Sequence, residues 1–275
     1  MWLLADIGGT HSRICLADES GLIAPSLRHY ENDRFADTDA LFAAYLAAHD
    51  ASPTAAAIAM AGPVAADPPR LTNRDWTLSP DTLAPRLGCR PRLLNDLEAL
   101  ALSLPSHPTS RLLVPAPETR PNGRRLAVGI GTGMNACPLQ GTTPHPLEYG
   151  HRPLPKELEN ALPGAVTIED LFSGRGYARF CEGGVVRDYI RDYSALIGTL
   201  CALLANAFSP RDGISLAGGV ARSVLTAAPA AFAESYHAHF APQDPIPPVS
   251  LILSDDAALL GCHAALSQTQ RVARG

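Results

Sequence analysis

The sequence predicts an α/β protein built in two halves. Two observations carry that expectation. Strand-length apolar runs alternate with helix-length amphipathic runs along the chain, and in each half an apolar strand runs straight into a glycine-rich turn. At 275 residues the chain is long enough for two modest domains or one large one.

In order, Trp2 to Ile7 reads as a strand, Gly8-Gly9 as a turn, Ser12 to Ala17 as a second strand, and Glu19-Ser20-Gly21 as another turn. Asp39 to Ala48 is expected to be a helix with Phe42, Tyr45 and Leu46 on one face. A buried strand, Ala55 to Met60, stops at Gly62-Pro63, and Thr82 to Leu87 is a short helix or turn interrupted by Pro85. Arg92 to Leu94 is a strand that delivers Asn95-Asp96 to the start of a helix over Leu97 to Leu104. Pro105 to Arg124, rich in turn formers, reads as a crossover into the second half. There, Leu126 to Ile130 is a strand, and helices are expected around Pro155 to Leu162, Ile168 to Leu171 and Val185 to Phe208. The last carries Ile190, Tyr193, Leu196, Ile197, Leu200, Leu203 and Leu204 at helical spacing. Ile214 to Ala217 is a strand leading through Gly218-Gly219 into a helix, Val249 to Leu253 a further strand, and Ala257 to Leu266 the final helix.

Composition narrows the function classes. A hydrophobic fraction of 46% with 18% charged residues fits an ordinary soluble protein and argues against disorder or a fibrous chain. A net charge of -5 without a Lys/Arg cluster points away from nucleic acid and toward a small metabolite. None of the six cysteines forms a Cys-x-x-Cys pair, so they read as reduced core thiols rather than a zinc or redox motif. The N-terminus carries no basic leader, and no apolar run reaches the roughly 20 residues that span a bilayer. A cytoplasmic protein with no membrane partner is expected.

Three strand-to-glycine turns could meet a nucleotide. In Asp6-Ile7-Gly8-Gly9-Thr10 the glycines let backbone N–H groups approach phosphate oxygens, Thr10 adds a hydroxyl, and Asp6 could hold Mg2+ through water. Alone, the segment also fits a hairpin turn with a surface aspartate. Gly131-Thr132-Gly133 could clamp phosphates from the second half, and Gly218-Gly219 could pack against adenine and ribose. Asn95-Asp96, at a strand's carboxyl end, suits phosphoryl transfer to an alcohol, with Asp96 accepting the hydroxyl proton and Asn95 binding a neighbouring hydroxyl. An Asx cap on the following helix is the alternative. Glu148, His151 and Glu169 are chemically suited to sugar hydroxyls, though helix N-terminal placement also accounts for Glu169.

Together and in this order these segments resemble the bacterial glucokinase family of the hexokinase/actin/Hsp70 superfamily. The matching stretches include Leu4 to Thr10 with Arg13, Ala59 to Pro63, Leu71 to Trp76, Leu94 to Ala99, Gly131 to Gly133, Glu148 to His151, Glu169 to Gly176, Leu216 to Gly219 and Ala258 to Gly261. The resemblance implies a two-lobed actin-like ATPase (ribonuclease H-like) fold with an interlobe active-site cleft. Residues 1–105 plus 256–275 would form the small lobe and 106–255 the large one. It implies ATP-dependent phosphorylation of the 6-hydroxyl of an aldohexose, most readily glucose, with Asp96 as catalytic base. Asn73, Asn95, Glu148, His151 and Glu169 would take the sugar. Asp6, Gly8, Gly9, Thr10, Gly131, Thr132 and Gly133 would surround the ATP phosphates and Mg2+, Gly218 and Gly219 would border the adenosine, and the protein would be a homodimer. Three departures stand out. Met134-Asn135 follows Gly131-Thr132-Gly133 where the family usually has Leu-Gly, and Asn135 is expected to tolerate a left-handed backbone there. His11 replaces a frequent Asn, and the chain is short between Cys181 and Tyr189, where Glu182-Gly183-Gly184 bridges two helices. Two alternatives remain open: a kinase for another hexose or an amino or anhydro sugar, and a non-catalytic sugar-binding regulator.

Overall fold

A computed structural model describes residues 1–106, 108–115, 120–182 and 188–274. The chain divides into two compact units, Met1–Ser106 with Asp255–Gly275, and His107–Ser254.

The first unit is a mixed sheet covered on both faces. Its strands are β1 (Trp2–Ile7), β2 (His11–Asp18), β3 (Gly21–Leu22), β4 (Arg28–Glu31), β5 (Ala55–Met60) and β6 (Arg92–Asn95). They run in the order β3-β2-β1-β5-β6, with β4 on β2; β1 is antiparallel to β2 and parallel to β5. Period-two alternation sorts β1. Leu3, Ala5 and Ile7 join Leu41, Phe42 and Tyr45 of α1 (Thr38–His49) and Leu83 and Leu87 of α2 (Pro80–Leu87) in one core. Asp6 alternates to the other face. There α3 (Asp96–Ser103) and the C-terminal helix (Ala257–Arg274) pack on each other and on β5.

Two expectations fail locally in this unit. Pro85 does not interrupt α2, which runs through it and ends on Gly88 at φ 72. Only the Asp81 carbonyl loses a partner, and Asp81 and Pro85 are both exposed, so water replaces that bond. The C-terminal helix also continues to Arg274 instead of stopping near Leu266.

In the second unit β7 (Ser110–Val114), β8 (Arg124–Ile130), β9 (Met134–Gln140), β10 (Thr143–Pro144), β11 (Ile214–Ala217) and β12 (Val249–Ile252) order as β10-β9-β8-β11-β12-β7. The centre again pairs an antiparallel hairpin, β8-β9, with parallel strands β11 and β12. Helices α4 (Ile168–Leu171), α5 (Gly174–Glu182), α6 (Tyr189–Phe208), α7 (Gly219–Ala227) and α8 (Pro229–His237) complete the unit; the C-terminal helix is α9.

Several corrections fall here. The helix expected around Pro155 to Leu162 is a single 3-10 turn, Lys156–Leu158, followed by further tight turns. Leu158 and Leu162 are both buried at i,i+4 spacing, which mimics a helix, but Pro155 and Pro163 bracket the segment. The single helix expected after Gly218-Gly219 is two, because Ala228, preceding Pro229, leaves the helical region at φ -132, ψ 55. Ile190 is not on the buried face of α6 but 39% exposed, while Tyr193, Ile197, Leu200 and Leu204 are buried. The expected start of this helix at Val185, and the Gly183-Gly184 part of the bridge, lie outside the described residues. All six cysteines are free, and no helix among the described residues is long and apolar enough to cross a membrane.

Gly261 reports how tightly α9 sits on α3. A Cβ there would lie 1.7 Å from the Ala99 carbonyl oxygen. Glycine inside a helix costs about 1 kcal/mol relative to alanine, so its presence reflects backbone contact rather than helix propensity. Gly261→Ala is expected to destabilise the protein by about 2–3 kcal/mol despite the gain in propensity, read as a lowered urea midpoint with an unchanged m-value.

Candidate active site

The first unit gathers its candidate residues at the carboxyl ends of β1, β5 and β6. Asp6 pairs across the ladder with Arg13, and its Oδ2 accepts from Arg13 Nη1 at 3.0 Å. Arg13 Nη2 also stands 3.9 Å from Asp255 Oδ1. Burial pushes the Asp6 carboxyl above its ordinary range; Arg13 partly offsets this, and Asp255 adds to it. The sign follows: a carboxyl more readily protonated in the folded state makes the fold lose stability as pH rises and the group ionises. A bound cation would return part of that loss. Among the described residues no three His, Cys, Asp or Glu side chains converge as a metal cage. A lone carboxylate fits Mg2+ held through water and substrate phosphates, the usual donor set for that ion beside a nucleotide.

The turn after Asp6 is held from behind. Asn32 is fully buried; its Nδ2 donates to the Gly8 carbonyl at 2.8 Å, its Oδ1 accepts from Ser12 Oγ at 2.7 Å, and its backbone N–H reaches the Thr10 carbonyl at 2.9 Å. Arg74 adds bonds to the carbonyls of Gly9 (3.2 Å) and Asn32 (3.0 Å) and to Asp33 (2.7 Å), while its guanidinium lies 4.3 Å over the Trp76 ring. A Cβ on Gly9 would meet that of exposed Asn73 at 3.3 Å. These brackets engage the loop's carbonyls, which leaves the N–H groups of Gly9 and Thr10 without an intramolecular partner among the described residues.

Asn95 does what the capping alternative said. Its Oδ1 accepts from Leu97 N–H at 3.0 Å, and Glu98 returns a bond to the Asn95 N–H at 3.4 Å, a capping box for α3. Burial raises the Glu98 carboxyl, offset by that N–H and by Arg92. Asn95 Nδ2 donates to the Gly62 carbonyl at 3.3 Å, which leaves the amide one hydrogen, since its oxygen already serves the backbone N–H groups at the start of α3. Asp96 opens α3, is exposed, and sits where the helix dipole favours a carboxylate.

The second unit repeats the plan at the end of β8. Gly131 and Gly133 close a turn through a 2.9 Å backbone bond, and the Gly131 carbonyl accepts from Gly174 at the start of α5 at 2.7 Å. Gly218, at φ 104, opens α7; a Cβ on it would fall 2.3 Å from the Ile130 carbonyl oxygen. Gly219 is exposed with open space beside it. Half-buried Glu169 lies against Gly133, whose Cβ would meet Glu169 Oε2 at 2.8 Å, and that oxygen accepts from Met134 N–H at 3.3 Å. Thr167 and Asp170 form the capping box of α4, so Glu169 is free of the capping role its position suggested. Exposed Glu148 precedes and exposed His151 closes a 3-10 turn, Tyr149–His151, in which a Cβ added to Gly150 would fall 2.1 Å from the Met134 carbonyl oxygen. Thr132 is exposed.

Asn135 is not left-handed. It lies in β9 opposite Gly129, its Oδ1 accepts from Tyr149 N–H at 2.7 Å, and its Nδ2 donates to Glu148 Oε2 at 3.1 Å. The turn closes before it, so the strand, not the turn, sets its backbone. Asn32 and the tie from Asn135 to Glu148 were invisible to sequence reasoning, because no spacing signals a side chain that bonds a carbonyl 24 residues away or a carboxylate 13 residues away. Asn32→Ala is expected to cost about 1–3 kcal/mol, since it strands the buried Ser12 hydroxyl and the Gly8 carbonyl, and to raise KM for nucleotide more than KM for the phosphate acceptor. Urea unfolding and two-substrate kinetics check both.

A family model described as Glucokinase matches residues 3–184. A glucokinase of Mesorhizobium japonicum is 28% identical over 313 aligned positions, covering 95% of this chain and 90% of the relative. Among solved structures, a glucokinase from an Antarctic psychrotroph superposes with a TM-score of 0.77 at 23% identity, covering 97% of this chain and 98% of the other. A ROK family glucokinase from Streptomyces griseus, in complex with glucose and AMPPNP, gives 0.63 at 18% identity, covering 97% and 99%. These likenesses show the actin-like ATPase fold of hexokinase-type sugar kinases. The family match spans well over half of the sequence, and the chain belongs to the glucokinase family.

Proposed function

We propose that the protein transfers the γ-phosphoryl group of ATP to the 6-hydroxyl of an aldohexose, with glucose as the substrate. The observation that carries this reading is the exposed Asp96 carboxylate at the head of α3, held in place by the Asn95–Glu98 capping box in a chain of this family. The relatives named glucokinase, and the Streptomyces griseus enzyme bound to glucose and AMPPNP, support the choice of substrates.

In this mechanism the first unit supplies the base. Asp96 accepts the 6-hydroxyl proton as that oxygen bonds to the γ-phosphorus and the bridging oxygen leaves with ADP. Asn73 and the spare amide hydrogen of Asn95 orient the sugar, as do Glu148, His151 and Glu169 of the second unit. Backbone N–H groups of Gly9 and Thr10, and of Thr132 and Gly133, hold the phosphates, while Gly8 and Gly131 shape those turns through their own bonds to the His11 and Gly133 carbonyls; the fixed dipoles face the charge that builds on the transferring group. Gly218 and Gly219 border the adenosine, where any side chain would intrude. Asp6 would hold Mg2+ through water, and the ion would supply charge neutralisation for the triphosphate. The same reading makes the protein a cytoplasmic, glycolytic homodimer with neither nucleic acid nor membrane as partner. The Met134-Asn135 departure gives no support to the regulator alternative, because both residues sit in β9 beyond the closed turn.

Asp96→Ala is expected to lower kcat by roughly 10²–10⁴-fold while sugar affinity, measured calorimetrically, stays within about tenfold. Retained turnover would remove Asp96 from the mechanism.

A further inference from the structure

We propose that Asn135 is a positioning residue for the sugar: its amide fixes the Glu148 carboxylate so that one oxygen is tied and the other is presented to a hexose hydroxyl. This rests on the reading of Glu148 as a sugar ligand. The geometry lies entirely within the second unit.

The orientation of the amide is settled by its neighbours. Asn135 Oδ1 accepts two backbone N–H groups, from Tyr149 at 2.7 Å and Ala136 at 2.9 Å. Only an acceptor can face two donors, so the nitrogen must point the other way, and there it meets Glu148 Oε2 at 3.1 Å. A hydrogen bond onto a carboxylate is stronger than one between neutral groups. Without it, exposed Glu148 would keep its full rotamer freedom and lose it only on binding sugar. Gly129, directly across the ladder, brings no side chain to compete for that face of β9.

The adjacent residue does the matching job by backbone. Met134 N–H binds Glu169 Oε2 at 3.3 Å. Two consecutive residues, immediately after the Gly131–Gly133 turn, therefore hold the two carboxylates assigned to the sugar.

Asn135→Asp separates positioning from folding. Its carboxylate still accepts from Tyr149 and Ala136, but it turns the donor to Glu148 into a second negative oxygen. The expected result is a rise in sugar KM of about tenfold or more, with KM for ATP within about twofold and an unchanged thermal midpoint. Asn135→Gly should raise the sugar KM without adding charge. In a Glu148→Gln background, Asn135→Asp should cost less than about threefold, since the Gln amide can donate back to the new carboxylate. If Asn135→Asp and Asn135→Gly leave the sugar KM alone while Glu148→Gln raises it, Glu148 binds sugar unaided and the proposal falls. Equal losses for both substrates, or a collapsed midpoint, assign Asn135 a purely structural role and also overturn it. If Glu148→Gln itself leaves sugar binding unchanged, the failure lies in the sugar-site reading, and the proposal falls with it.

Discussion

The constraint on which both units depend is backbone approach too close for a side chain. At the carboxyl ends of the central strands, main chain or a site carboxylate already stands where a Cβ would have to be. An added Cβ would fall 2.3 Å from the Arg70 carbonyl at Gly62, 2.3 Å from that of Ile130 at Gly218, and 2.8 Å from the Glu169 carboxylate at Gly133. Separations below 3.0 Å are not relieved by small adjustments when the neighbour is backbone. Glycine is therefore required at Gly62 and Gly218 by backbone packing inside each unit before any ligand is considered, whereas at Gly133 a side chain would displace the Glu169 carboxylate. The turns that suit phosphate contact are, in this sense, consequences of how tightly the strand ends are bracketed.

Bracketing explains why such turns hold a shape that exposes N–H groups. Other groups take up the carbonyls from behind: the side chains of Asn32 and Arg74 in the first unit, the Gly174 backbone N–H in the second. A backbone dipole pinned at its oxygen presents its hydrogen in a fixed direction, which favours anion binding without reorganisation. The same economy governs the carboxylates. Asp6 is set by Arg13 across the ladder, Glu169 by the Met134 N–H, Glu148 by Asn135, and Asp96 by its place at the head of a capped helix.

Much of this was legible in the sequence because it is local. Apolar runs stopped by glycine located β1, β5 and β11 to the residue, and the helix expected over Ile168 to Leu171 is α4. The Asp6–Thr10 and Asn95-Asp96 segments advertised chemistry because a glycine pair or an Asn-Asp pair at a strand's end is unusual without a job. What escaped was non-local or masked by proline. β9 carries Pro138 and begins inside a turn signal, so it did not read as a strand, although its register with β8 is continuous from Arg124 to Ile130. β7 hid in a proline-rich crossover, and the helix expected near Pro155 rested on two leucines whose burial a chain of tight turns also delivers. Asn95 carries the capping box of α3 and, through the same amide, a bond to the Gly62 carbonyl at the end of β5.

ADP release from Mg-ATP, followed across glucose, mannose, fructose and glucosamine, tests the central claim most directly. The account predicts turnover that requires sugar and is highest with glucose. Sugar binding by thermal shift with no sugar-stimulated ADP release would contradict it, and would make the protein a sugar-binding regulator rather than a kinase.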